Sequence, residues 1–146
     1  MTKEDFRSRY FSYWEMTRSR TAQKLHLNNE PTEEQLRNLQ ALVTNVLDPL
    51  REAWGGPITV TSGFRSRQVN SAVGGAKNSQ HWLGQAADII CAEGPRSTRA
   101  LGEYIIDLHL PFDQLIFEGE SARVLACQWI HVSYGPRNRR QVLHKS

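Results

Sequence analysis

Ser79-Gln80-His81-Trp82-Leu83-Gly84-Gln85-Ala86-Ala87-Asp88-Ile89-Ile90-Cys91 joins a polar loop to a short apolar run. Ala86 to Cys91 has the length and composition of a buried strand. Asp88 stands in its middle. An ionised carboxylate there is costly unless a partner or a metal compensates it. Gly84 lets the chain turn before the strand, and Ala86 and Ala87 leave room beside whatever Asp88 holds. A second run, Trp129-Ile130-His131-Val132-Ser133-Tyr134, places a histidine inside an apolar strand. Two such residues meet if the strands are neighbours, and His81 can fold over the pair. Two imidazoles and one carboxylate match the three protein ligands of a catalytic zinc site with an open fourth position. Each residue also has a plainer reading by itself: a histidine hydrogen-bonded in the core, or an aspartate paired with an arginine.

Outward from this stretch, the remaining elements follow from periodicity. Thr32-Glu33-Glu34-Gln35 is a capping box. Leu36, Leu39, Val43, Val46, Leu47, Leu50 and Trp54 then repeat at helical spacing. Pro49 lies inside this helix and predicts a kink near Asn45. Ile58 to Ser62 reads as a strand, Ser66 to Val73 as a short helix, and Pro95 to His109 as a second long helix. Gln114 to Glu118, Cys127 to Tyr134 and Arg140 to Leu143 read as strands, joined as an antiparallel meander. Near the N-terminus, Tyr10 to Trp14 is strand-like and Ser19 to Leu25 suits a short helix. Aromatic density over residues 1–30 predicts a segment packed on the body. The expectation is one α+β domain over 1–146, with two main helices on an antiparallel sheet.

Composition narrows the function. The chain has 146 residues, 39% hydrophobic and 23% charged, an ordinary globular balance. No stretch is long and apolar enough for a membrane span. Eighteen Lys and Arg against fifteen Asp and Glu leave +3, too little to argue for nucleic acid. The C-terminal Arg137, Arg139, Arg140 and Lys145 read as a solvated basic face. Cys91 and Cys127 make neither a disulfide framework nor a zinc finger, and free thiols are expected. Met1 to Asp5 leads into charged and aromatic residues without an apolar signal region. Cytoplasmic synthesis and a monomer are expected, with no membrane or nucleic-acid partner.

Ser79-x-His81-x-x-Gly84-x-Ala86-x-Asp88, followed by Trp129-x-His131, resembles the zinc D-alanyl-D-alanine peptidase family. Val60-Thr61-Ser62-Gly63-Phe64-Arg65-Ser66 with Asn70, and Asp48-Pro49-Leu50-Arg51, look like the segments that precede its zinc motif. That family includes murein carboxypeptidases and phage endolysins and shares its fold with the hedgehog signalling domain. The resemblance implies that His81, Asp88 and His131 bind one catalytic Zn2+. It also implies a peptidoglycan peptide as substrate, with action on the cell wall after release, as for a phage or prophage product.

The implied chemistry needs an acid or base to carry the water proton to the leaving amine. In the family this residue commonly lies three positions before the last histidine. That position is Gln128 here, and glutamine cannot shuttle a proton. Glu118 is the substitute, ending a strand that a meander places beside the zinc-bearing ones; Asp113 and Glu120 are further acids. Gln128 can still orient the water or the carbonyl. Arg65 presents a planar fork that fits a carboxylate, and the resemblance assigns it to substrate or to the developing oxyanion. Ser79 is expected to support a ligand. Trp82, Trp129 and Tyr134 are expected to line the cleft. His26, His109 and His144 lie away from the motif.

Overall fold

The long N-terminal helix shows how local chemistry builds the body. The computed structural model describes residues 1–146. Thr32 Oγ1 accepts from the Gln35 amide, while Gln35 Oε1 accepts from the Thr32 amide, and this box starts α3 (Glu33–Leu42). Pro49 offers no N–H, so the helical ladder cannot continue unchanged. The chain responds with a π-turn over Val43–Leu47 and resumes as α4 (Asp48–Trp54). Asn45 Nδ2 donates to the Ala41 carbonyl at 2.8 Å inside the turn. The predicted kink is therefore a π-turn. The apolar stripe survives it, since Leu36, Leu39, Val43, Val46, Leu47 and Leu50 are all buried.

Five strands form one sheet: β1 (Thr59–Ser62), β2 (Ala86–Ile90), β3 (Gln114–Glu118), β4 (Trp129–Ser133) and β5 (Gln141–His144). Their spatial order is β1-β2-β4-β3-β5. The first three pairings are antiparallel, but β5 runs parallel to β3. The sheet is thus mixed, which corrects the expected antiparallel meander. The cause is the link between β4 and β5. It crosses the start of β3, where Asp113 accepts the Arg139 backbone amide at 3.1 Å and its guanidinium at 2.8 and 3.1 Å. Residues 134–140 are thereby drawn past β3, and β5 must pair on its far edge.

Strand alternation gives the sheet two different faces. Ala87, Ile89, Leu115, Phe117, Ile130 and Val132 belong to the apolar core. The second long helix, α6 (Pro95–Asp107), packs on this face. Gly102 allows the approach: a Cβ there would lie 2.4 Å from Phe117 Cε1 and 2.7 Å from Ile130 Cδ1. Gly102→Ala is expected to destabilise the protein by about 1–3 kcal/mol through overpacking. Denaturant unfolding of the two proteins checks this, and an unchanged midpoint would contradict so close a contact. Asp88, Ile116 and His131 lie on the opposite face.

The N-terminal segment does pack on the body: Phe6, Phe11 and Met16 are buried in the core. Tyr10 to Trp14 is not a strand, however. Ser12 Oγ accepts from the Glu15 amide and caps α1 (Tyr13–Thr17). Ser19 likewise caps α2 (Arg20–Leu25). Asn29 ties this segment to the loop after β1, donating to the Thr17 and Phe64 carbonyls and accepting from the Ser66 amide. Ser66 in turn caps the short helix α5 (Arg67–Ala72). No helix is long and apolar enough to cross a membrane.

Candidate metal centre

Register brings the three proposed ligands together. Asp88 of β2 stands directly opposite His131 of β4. His81 reaches them from the loop before β2. That loop is held against α3, where Gln35 Nε2 and Asn38 Nδ2 donate to the Trp82 and Leu83 carbonyls, both at 2.8 Å. Gly84 makes the fit, with φ of 77° and a would-be Cβ only 2.4 Å from the Gln35 carbonyl oxygen. One ligand atom from each of His81, Asp88 and His131 lies within 4.8 Å of the others. Asp88 Oδ1 is 3.2 Å from His81 Nε2 and 3.2 Å from His131 Nδ1. Burial alone would raise the Asp88 pKa. The adjoining His131 and His81 rings outweigh it and hold the carboxyl below the ordinary range, so it is ionised.

Each histidine is also oriented from behind. His81 Nδ1 lies 2.8 Å from the Gly63 carbonyl oxygen, which can only accept. That contact keeps a proton on Nδ1, so Nε2, on the Asp88 side, is the nitrogen that would ligate a metal. Ser79 Oγ accepts the His81 amide at 3.1 Å, which steadies the loop. His131 is set by a longer relay. Arg139 clamps Asp113, whose carboxylate accepts from Gln80 Nε2 at 2.9 Å. An ionised Asp113 can take only the NH2 side of the amide. Gln80 must then turn Oε1 toward His131 Nε2, 3.1 Å away. That nitrogen carries the proton, and Nδ1 is left to bind a metal. Sequence reasoning missed Gln80 altogether. Its only signal was its place between Ser79 and His81.

Arg139 holds the Asp113 carboxyl down at about 2, its hydrogen bonds outweighing burial. An unfolded aspartate titrates near ~3.9. The folded pKa is the lower one, so this stabilisation is complete above about pH 4 and is lost as pH falls toward about 2. Metal-free wild type is expected to lose about 1–2 kcal/mol more between about pH 5 and pH 3 than Asp113→Asn, by denaturant unfolding. Equal losses would show that the clamp does not stabilise the fold.

The other predicted residues fall into two groups. Glu118 of β3 pairs with Trp129, two positions along from the Ile116–His131 pair. Alternation therefore puts Glu118 and Trp129 on the metal-bearing face, with Glu118 roughly 7–8 Å diagonally from His131 along the backbone. Asp88 and Glu118 are the carboxylates that the strands present on that face. Asp113 is engaged by Arg139, and Glu120 by Arg99 and His144. Gln128 is exposed at the adjoining turn; its amide donates to the Glu118 carbonyl, and its side chain lies over Gly119. The Arg65 amide donates to the His81 carbonyl at 3.2 Å. Burial lowers the Arg65 pKa, and the Asp88 charge opposes that shift. Trp82 borders the loop, its indole donating to the Lys77 carbonyl with the Arg67 guanidinium 4.3 Å from a ring centroid.

Tyr134 is the exception. It lines a separate small cavity with Asn38 and Ala41 and packs against the core, not into the cleft. It lies an odd number of residues past His131, just beyond the end of β4, which turns it toward α3. The basic C-terminal face also differs from expectation. Arg139 is spent on Asp113, while Arg140 donates to the Leu110 and Ile106 carbonyls and lies 4.6 Å from the Phe112 ring centroid. Cys91 and Cys127 are free and buried. Burial raises both thiols to about 11, so neither supplies a thiolate.

A family model described as Peptidase M15 matches residues 9–133. The chain belongs to the peptidase M15 family. The match spans α1 through β4 and so contains all three ligands of the M15 chain. A curated relative, the zinc D-Ala-D-Ala carboxypeptidase of Streptomyces albus G, is 57% identical over 51 residues. That alignment covers 34% of this M15 chain and 20% of the relative. The donor set fits zinc on its own chemistry: two oriented imidazole nitrogens and one ionised carboxylate oxygen.

Proposed function

We propose that this protein is a zinc metallopeptidase that hydrolyses D-amino-acid-containing peptide bonds of bacterial peptidoglycan, as a D-Ala-D-Ala carboxypeptidase or an endopeptidase of endolysin type. The observation that supports it most is the convergence of His81, Asp88 and His131 on one point. Bound zinc supplies a Lewis acid that polarises the scissile carbonyl and makes water a better nucleophile. Glu118 takes the proton from the attacking water as the C–O bond forms. It returns that proton to the nitrogen as the C–N bond breaks. Arg65 binds the substrate carboxylate or the developing oxyanion. Gln128 orients the water or the carbonyl through its amide, and Trp82 and Trp129 flank the bound peptide.

The test uses zinc-loaded protein, purified murein and a peptide ending in D-Ala-D-Ala. Release of D-alanine supports a carboxypeptidase, and solubilised murein fragments without free D-alanine support an endopeptidase. Both activities should vanish with a chelator and return with zinc. Zinc binding without hydrolysis of either substrate overturns the enzymatic reading. It favours the second one, a non-catalytic zinc-containing wall-binding module, for which Gln128 in the usual acid position speaks. The proposed place of action is the cell wall, after release of a protein made in the cytoplasm.

A further inference from the structure

A groove of about 650 Å³ runs between the α1–α2 segment and the end of β1. Trp14, Arg18, Arg20, Thr61, Ser62 and Arg65 form the part used here, and no acidic residue lines it. None of these arginines takes part in an ion pair. Three unpaired guanidinium groups on one concave surface repel each other and attract anions. Arg18 is preset: its Nη2 donates to the Val60 carbonyl at 3.0 Å, and its Cζ sits 4.8 Å from the Trp14 ring centroid. Trp14 is 58% exposed, an unusual position for so large an aromatic side chain. Arg65 Nε is buried without any hydrogen-bond partner. A buried donor left unpaired in this way marks a place where a ligand atom belongs.

The wall of the groove is bonded to the segments that carry the metal centre. Thr61 Oγ1 donates to the Asp88 carbonyl at 3.3 Å, Gly63 holds His81, and the Arg65 amide donates to the His81 carbonyl. A chain lying in the groove would therefore run beside the segments that carry His81 and Asp88. Peptide backbone would meet the Thr61 and Ser62 hydroxyls, aliphatic stem atoms the Trp14 face, and carboxylates the arginine forks.

We infer that this groove binds a carboxylate-bearing stretch of the peptide substrate, with Arg18 and Arg20 selecting an acidic group beyond the one at Arg65. The inference rests on the proposed peptidase reading for its ligand. Two partly exposed guanidinium–carboxylate pairs support a preference of about tenfold for the free acid over its amide.

The test compares peptides ending in D-Ala-D-Ala that carry upstream side-chain carboxylates either free or amidated. Binding to zinc-loaded protein is followed by tryptophan fluorescence, with Trp14→Phe locating the signal, and turnover is followed in parallel. Wild type should bind the free acid about tenfold more tightly, through KM and not kcat, with the preference shrinking as salt rises. Arg18→Gln/Arg20→Gln should lose the preference at unchanged kcat. Exposed Arg20→Gln alone should lose part of it, which keeps the test decisive if the double variant folds poorly. Equal binding of acid and amide by wild type, or a preference kept in the variants, overturns the inference. Cleavage of both peptides without discrimination sinks the groove assignment and keeps the peptidase. Selective binding without cleavage of either peptide does the reverse.

Discussion

Glu118→Gln is expected to lower kcat on a D-alanyl peptide by about 10²–10⁴-fold while zinc stays bound, since that is the usual contribution of a general acid or base. The substitution keeps size and hydrogen bonding and removes only the ability to carry a proton. Glu118 lies on the metal-bearing face, across from Trp129 and beside the His131 position. The other nearby acids are occupied, Asp113 with Arg139 and Glu120 with Arg99 and His144. Equal zinc content in the two proteins separates lost chemistry from lost metal. Full activity in Glu118→Gln would remove it from the reaction. Gln128→Glu serves as the companion variant. Wild-type Gln128 carries no exchangeable carboxyl proton, so activity restored to Glu118→Gln by this change would show that the two positions can share one role.

Gln80→Leu is expected to weaken zinc binding by about 10–100-fold, the usual cost of removing a group that orients a metal-bound histidine. Leucine cannot accept from His131 Nε2, so nothing keeps the proton off Nδ1 and the ring loses its fixed orientation. It also leaves Asp113 without its Gln80 donor, although Arg139 still satisfies the carboxylate. Competition against a chromophoric chelator measures the affinity, and amide exchange in the β2 and β4 strands checks that the fold is kept. Undiminished affinity in Gln80→Leu would mean that Asp88 alone orients His131, and the relay from Arg139 would have no bearing on the metal.

The ligands were readable because their oddity is local. A carboxylate inside Ala86–Ile90 and a histidine inside Trp129–Ser133 conflict with their apolar neighbours. Such conflict marks a functional position before any contact is known. The capping box at Thr32 and the kink from Pro49 were readable for the same reason, being rules of adjacent residues. The N-terminal aromatic run was misread because Ser12, a helix cap, outweighs the strand preference of Tyr10 to Trp14. The direction of β5 was misread because it depends on Asp113 capturing Arg139, 26 residues away. Tyr134 was placed in the cleft by sequence proximity to His131, whereas its position past the strand end sends it to α3.

Sequence by itself determined which side chains are candidates to bind a metal and which strands and loop carry them, since burial preference, periodicity and capping act within a few residues. Tertiary structure alone decided which atoms of those side chains face the metal. Gln80 reaches across 51 positions to His131 and across 33 to Asp113, and His81 across 18 to Gly63. Only when these segments pack together do a carboxylate's charge and a carbonyl's lone pairs dictate where each imidazole proton resides.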